Sequence, residues 1–237
     1  ILALNDINNE LDEKEIDSWI RLTRVLTHEI MNAVTPITSL SDTLLGLTEA
    51  QASKEEIRNG LQTISSTCKG LLSFVESYRK FTRIPTPEPS LFYVKSFIER
   101  MVELARHQHP DVRVTFHTDI APSDLILYAD ENLVSQVVIN LLKNAIQAIE
   151  SDKNTDKEGH INIRAYCNEA EAILIEISNN GPAIPNDIAE HIFIPFFTTK
   201  EGGSGIGLSI SRQIMRLSGG NLSLLPSKET TFILKFN

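Results

Sequence analysis

Apolar and small residues recur alternately three and four positions apart early in the chain: Ile16, Trp19, Thr23, Leu26, Ile30, Ala33, Ile37, Leu40, Leu44 and Leu47. That spacing is the seam of a helix packing along another helix, and it predicts helix from about Asp12 to Leu47. Pro36 lacks a backbone donor, so an interruption with a kink is expected there. The pattern breaks from Gly46 to Ser53, where Ser53 and Glu56 read as a capping box that starts a second helix. Its stripe runs Ile57, Leu61, Ile64, Cys68, Leu71, Val75, Tyr78 and Thr82. Two such helices with a short connection make an antiparallel hairpin. One hairpin cannot bury both stripes, so two are expected to form a four-helix bundle as a homodimer.

The alternating prolines Pro85, Pro87 and Pro89 exclude helix and stiffen the chain, which marks a linker. The organisation expected is therefore a hairpin over 1–84, a linker over 85–90 and a second domain over 91–237. In that domain the pattern predicts helices at Val94 to His109, Asn132 to Ile149 and Leu208 to Leu217. Strands are predicted at Val112 to Thr118, Leu125 to Tyr128, Ile161 to Cys167 and Ala172 to Ser178. Leu222 to Leu225 and Thr231 to Phe236 read as a closing hairpin. Neighbouring strands with helices between them give an α+β fold, an antiparallel-type sheet covered by helices on one face.

Composition narrows the function. The 237 residues carry a net charge of −9 and scattered basic residues, which argues against a nucleic-acid surface. Cys68 and Cys167 lack metal-ligand spacing and read as buried thiols in a reducing compartment. No run reaches the ~20 apolar residues of a membrane span. The start at Ile1 rather than Met suggests a fragment, with any membrane anchor or sensor in a preceding part.

Chemistry is concentrated in five runs. His28 lies two residues from both Leu26 and Ile30, off the seam, with Glu29 beside it. An imidazole next to a carboxylate on an exposed helical face is suited to nucleophilic attack. Asn140 and Asn144 lie one helical turn apart, where carboxamide oxygens can hold a hard cation such as Mg²⁺. Ser178-Asn179-Asn180-Gly181-Pro182 follows a strand directly and reads as a turn that exposes backbone. The aromatic run Phe193 to Phe197 ends in Thr198-Thr199-Lys200, beside the glycines Gly202, Gly203, Gly205 and Gly207 that lead into a helix. Glycines at a helix start let backbone N–H groups approach phosphate oxygens. Neither the Walker pattern nor the dinucleotide fingerprint is present. His107 and His109 have no partner cluster and read as a helix-end surface pair; no metal site is expected there.

Taken in order, the five runs resemble the sensor histidine kinases of two-component signalling, over nearly the whole chain after about Trp19. His28-Glu29 resembles the H-box, Asn140 to Ala148 the N-box and Asn179 to Ile184 the first glycine box. Phe193 to Lys200 resembles the F-box, and Gly203 to Leu208 the second glycine box. The resemblance implies a dimerisation and phosphotransfer hairpin followed by an α/β-sandwich ATP-binding domain of the Bergerat type. It implies ATP and Mg²⁺ as cofactors and the receiver domain of a response regulator as partner. His28 then takes the γ-phosphate, Glu29 handles its proton, and Asn32 orients water for regulator dephosphorylation. Asn140, Asn144, Asn179, Gly181, Lys200, Gly203, Gly205 and Gly207 bind the nucleotide, with Asn144 as the Mg²⁺ ligand. A cytoplasmic location is implied, with a membrane reached only through a preceding part.

The match departs in places. Ala33 replaces a frequent proline, and Pro36 resembles the nitrogen-regulation branch. Gln147 stands where a lysine is common, and Ala183 replaces a glycine. Asn179 stands in place of an aspartate that accepts a hydrogen bond from the adenine amino group. A neutral carbonyl oxygen there weakens adenine anchoring by about 1 kcal/mol, roughly five- to tenfold. Rival readings are a phosphatase-biased or nucleotide-poor kinase relative, a Bergerat-fold ATPase without phosphohistidine, and a non-enzymatic dimeric scaffold. ATP titration with and without Mg²⁺, and a search for a phosphorylated intermediate, separate them.

Overall fold

The structure is a computed structural model that describes residues 27, 30–46, 54–152, 158–200, 203–225 and 229–237. His28, Glu29, Ser53 and Gly202 lie outside the described residues. The chain divides into two compact units, Ile1–Thr82 and Arg83–Asn237.

The first unit contains helix α1 (residues 30–46) and helix α2 (Lys54–Thr82). The expected interruption at Pro36 does not end α1. Just beyond it, hydroxyl groups supplement the backbone ladder: Thr38 Oγ1 donates to Val34 O at 3.0 Å and Ser41 Oγ to Ile37 O at 2.7 Å. The two helices meet where Leu44 covers Gly60, whose missing Cβ would come within 2.8 Å of Leu44 Cδ2. On α2 the stripe residues Ile57, Ile64, Cys68 and Leu71 are half-buried, while Leu61 is 56% and Val75 46% exposed. None of the described residues of this unit is fully buried.

In the second unit, residues 83–89 run without regular structure into strand β1 (Ser90–Tyr93). Helix α3 (Val94–Gln108), strands β2 (Val114–Ala121) and β3 (Ile126–Ala129), and helix α4 (Glu131–Ser151) follow. Then come β4 (Gly159–Cys167), β5 (Ile173–Asn179), the short α5 (Asn186–Ala189), α6 (Gly207–Leu217), β6 (Asn221–Leu225) and β7 (Thr230–Phe236). Five strands form one sheet in the order β2-β4-β5-β7-β6, and β1 pairs with β3 in a separate ribbon.

One expectation about the sheet is corrected here. The main sheet is mixed rather than antiparallel, because β2 and β4 run parallel. The chain between them passes through β3 and α4, a crossover long enough to reverse direction twice. Ser90 opens strand β1, directly after the irregular stretch. In the ribbon Phe92 turns inward at 8% exposure, whereas Leu91 and Tyr93 face solvent.

The core lies between the sheet and α3, α4 and α6. Inward residues alternate along each strand, as a half-buried sheet requires. Ile161, Ile163, Ile175 and Ile177 are at most 1% exposed, each worth roughly 1.5–3 kcal/mol of burial. On the opposite face Arg164 stands 3.6 Å from both Asp119 and Glu176, across adjacent strands. Tyr166 donates to Glu176 at 2.8 Å, which with burial raises the phenol above its usual range. An open groove of about 630 Å³ runs along this face. The expectation of two buried thiols is also corrected: Cys68 is half-buried, and Cys167, the last residue of β4, is exposed beyond the buried run.

Asp130 starts α4. Its Oδ1 accepts the N–H groups of Asn132 at 3.0 Å and Leu133 at 3.1 Å, and its Oδ2 that of Glu88 at 2.8 Å. One carboxylate thus caps the helix and anchors the end of the linker segment. The Glu88 bond is the main cause holding its carboxyl below the usual range, against opposing burial. A depressed carboxylate stabilises the fold above the unfolded-state value and loses that contribution as pH falls through the folded-state value. Asp130→Ala is therefore expected to lower unfolding free energy at pH 7 by roughly 1–2 kcal/mol. The gap to the parent should begin to narrow as pH falls below about 4, as denaturant melts across pH will read. A gap as large at pH 2 as at pH 7 would contradict this origin.

Candidate functional site

Every box of the second unit meets one face of α4. At its middle, Asn140 Nδ2 donates to Ser211 Oγ on α6 at 3.0 Å. Gly207 opens α6 against the Asn140 side-chain oxygen, so closely that a Cβ at Gly207 would collide with it. Asn140 therefore joins two helices as well as facing the site. Asn144, one turn on, is half-buried with no side-chain hydrogen bond among the described residues.

At the C-terminal end of α4, Gly181 lies against Ala148, where an added Cβ would sit 3.0 Å from the Ala148 carbonyl carbon. This contact brings the end of β5 to the helix. Asn179 is 2% exposed; its Oδ1 accepts from Gly181 N–H at 3.1 Å and its Nδ2 donates to Thr230 O at 3.4 Å. The carbonyl oxygen keeps one lone pair for a further donor.

The segment 191–200 folds back on the glycine run. Phe193 carries the Arg212 guanidinium 4.6 Å from its ring centre and meets Phe232 edge-on at 6.4 Å, which fixes the segment to α6 and β7. Phe196 adopts a φ of 64°, strained for a residue with a side chain. Gly205, with φ 66°, packs on the Phe196 and Phe197 carbonyls. Gly203 N–H donates to Lys200 O at 3.1 Å, and Thr198 Oγ1 lies 2.6 Å from where a Gly203 Cβ would stand.

Lys200 crosses to α4 and donates from Nζ to Gln147 Oε1 at 2.7 Å. Burial first, and the neighbouring Lys143 second, lower its pKa from the ordinary lysine value. No carboxylate among the described residues pairs with either lysine. The N-cap of α6, Ile206, supplies no side-chain bond to the first N–H groups of that helix. An uncapped helix end, a glycine loop without room for a Cβ and two unpaired ammonium groups suit a polyphosphate. The residues present thus fit ATP. Asn144, with its free carboxamide, fits a hard cation beside those phosphates.

Residues 129–237 match the family model of histidine kinase-, DNA gyrase B-, and HSP90-like ATPases. Over 97% of its length the chain is 30% identical to the nitrogen regulation protein NtrY of Azorhizobium caulinodans, and spans 30% of that relative. It is 32% identical to the solved catalytic domain of histidine kinase ThkA, covering 95% of that structure and 63% of this chain with a TM-score of 0.54. The chain belongs to the sensor histidine kinases. A second ThkA structure, in complex with the response regulator protein TrrA, shares the fold at TM-score 0.64 and 24% identity over 94% of this chain and 65% of that one.

The match to the ATPase model implies that the kinase binds ATP through its second unit. Of the residues expected from sequence, Asn140, Asn144, Asn179, Gly181, Lys200, Gly203, Gly205 and Gly207 surround α4 or the loop facing it. Asn32 is exposed on α1; His28 and Glu29 lie outside the described residues. Lys143 and Arg212 escaped the sequence reading. Lys143 adjoins Asn144 inside the N-box, a position that could have flagged it; the Arg212 stack joins residues far apart in sequence and left no local signal. Among the described residues no helix is long and apolar enough to cross a membrane.

Proposed function

We propose that this kinase uses ATP to phosphorylate its own His28 and passes the phosphoryl group to an aspartate of a response regulator receiver domain. The observation that carries the reading is the order of five runs along the chain, four of which converge around α4. The organisation proposed with it is a phosphotransfer hairpin over 1–84, a linker over 85–90 and an ATP-binding domain over 91–237.

One imidazole nitrogen of His28 attacks the γ-phosphorus. A P–N bond forms as the P–O bond to ADP breaks, and Glu29 takes the proton from the other ring nitrogen. Neutral imidazole is abundant near pH 7 because its reference pKa is ~6.5. A receiver carboxylate oxygen then displaces the histidine, which recovers its proton. Asn32 orients the water that later hydrolyses the acyl phosphate. Mg²⁺ held by Asn144 would offset charge on the phosphates when bound, and Lys200 does so from its seat on Gln147 of the same helix.

Dimerisation through the hairpin belongs to the same proposal. It is supported by the absence of any fully buried side chain among the described residues of the first unit, and by the exposure of Leu45 and Leu72 at 67% and 69%. Labelled ATP tests the catalytic step: the expected product is an acid-labile, base-stable phosphoprotein, and a chain that never acquires such label refutes the reading.

Asn179 favours a weaker variant of it, a nucleotide-poor kinase, since its Oδ1 already serves Gly181 N–H. Asn179→Asp is expected to tighten ATP binding roughly five- to tenfold, by supplying a charged acceptor to the adenine amino group. Its second oxygen would face the Thr230 carbonyl, now 3.4 Å from the amide nitrogen, at a stability cost of about 1–3 kcal/mol. Calorimetric titration and denaturant melts measure both effects. Unchanged affinity would mean that position 179 does not meet adenine.

A further inference from the structure

On the sheet face turned away from α3, α4 and α6, the strand register sets side chains in rows that cross the strands. Asp119, Arg164 and Glu176 are cross-strand partners and form one row, in which Arg164 stands 3.6 Å from each acid. Two residues along the strands lies the row His117, Asn162, Ser178, Thr231 and Leu225. Two residues further, His160 Nε2 lies 3.3 Å from Glu229 Oε1. Every second residue of a strand shares a face, so the three rows point the same way. At the centre of the middle row Asn162, Ser178 and Thr231 are shorter than the side chains to either side. They form the floor of the open groove of about 630 Å³. Its walls stand four residues apart, roughly 13 Å, and its floor crosses five strands, roughly 19 Å.

The chemistry of this groove selects its occupant. Its walls hold three carboxylates and one guanidinium, and two of the acids already share that guanidinium. The surplus attracts cations and repels anions. The Asn162 carboxamide and the Ser178 hydroxyl make no side-chain hydrogen bond among the described residues. A carboxamide offers two donors and an acceptor, the complement of a peptide unit. Extended chain rises ~3.3 Å per residue, so the floor takes about six residues. A second copy is a poor occupant, because each copy carries a net charge of −9.

We infer that this groove is a docking site for an extended peptide segment rich in lysine or arginine. The backbone of the segment meets Asn162 and Ser178, and its cationic side chains face Asp119, Glu176 and Glu229. The site shares no residue with the cleft around α4 and lies across the sheet from it, so a partner docked there leaves that cleft open.

The test is titration of the full chain, at low salt, with a labelled hexapeptide of alternating lysine and serine. The parent is expected to bind it saturably. Asp119→Lys with Glu229→Lys should weaken binding at least about tenfold. Glu99→Lys with Glu169→Lys makes the same change in net charge at exposed positions outside the groove, and should cost less than about threefold. Because the first pair sets a lysine beside Arg164, the neutral pair Asp119→Asn with Glu229→Gln guards against misfolding and should cost about fivefold. Asn162→Ala leaves the charge untouched and should cost about threefold. ATP affinity within about twofold of the parent in each variant checks the fold. Equal losses in the two lysine pairs would mean diffuse attraction to an acidic chain. Spermine bound as tightly as the peptide would assign the groove to a small polycation. Self-association that the groove pair abolishes, without peptide binding, would assign it to a second copy. Any of these three results, or a parent that does not bind the hexapeptide, overturns the inference.

Discussion

Replacement of His28 by alanine is expected to abolish incorporation of acid-labile phosphate from ATP, a loss of at least about 10³-fold in rate, since no second nucleophile takes over a covalent step. The expectation rests on sequence: His28 is two residues from the seam positions Leu26 and Ile30, with Glu29 adjoining it. The cleft proposed to hold the nucleotide is built from α4, the end of β5, segment 191–200 and α6. ATP affinity of the alanine variant should stay within about twofold of the parent, because every residue proposed to hold the nucleotide belongs to the second unit. The informative measurement pairs a label-incorporation assay with a binding titration on the same protein. Label that survives the change would move the phosphoacceptor elsewhere. Loss of both label and binding would indicate collapse of the fold rather than removal of a nucleophile.

Gly205→Ala should be nearly as severe at the other partner of the reaction. Gly205 has φ 66°, and a Cβ there would clash with the Phe196 carbonyl carbon and come within 2.7 Å of the Phe196 and Phe197 carbonyl oxygens. These are backbone atoms, so no side chain can swing aside. The left-handed conformation alone costs about 1 kcal/mol for alanine. The collision adds to this and forces the loop away from segment 191–200. Displacement of the N–H groups proposed to meet the phosphates should weaken ATP at least about tenfold. Gly219 provides the control. It too has a positive φ, 72°, but nothing lies within 4 Å of its would-be Cβ, and it ends α6 on the far side from the loop. Gly219→Ala should cost about 1 kcal/mol of stability and leave ATP affinity unchanged. Parallel titrations and melts of the two variants decide the matter. Equal effects on ATP would mean that the glycine loop acts only through general stability.

Most of what the chain determined without its coordinates is local. Helix α4 and strands β4 and β5 fall within two residues of the periods that foretold them, since alternation and helical spacing reflect which side of each element is buried. The runs that meet α4 were legible for a related reason: glycine and asparagine at set intervals are needed where backbone packs closely or turns, and such needs leave a trace in sequence. Partnership across the fold leaves no such trace. The parallel pairing of β2 with β4, the β1–β3 ribbon, the exposed Cys167 and the seat of Lys200 on Gln147 each depend on residues distant in sequence meeting in space. Asn179 shows the division within one side chain. Its place in the glycine box was readable from its neighbours, but which of its polar atoms remain available was decided by Gly181 and by Thr230, which packing of β7 against β5 brings alongside.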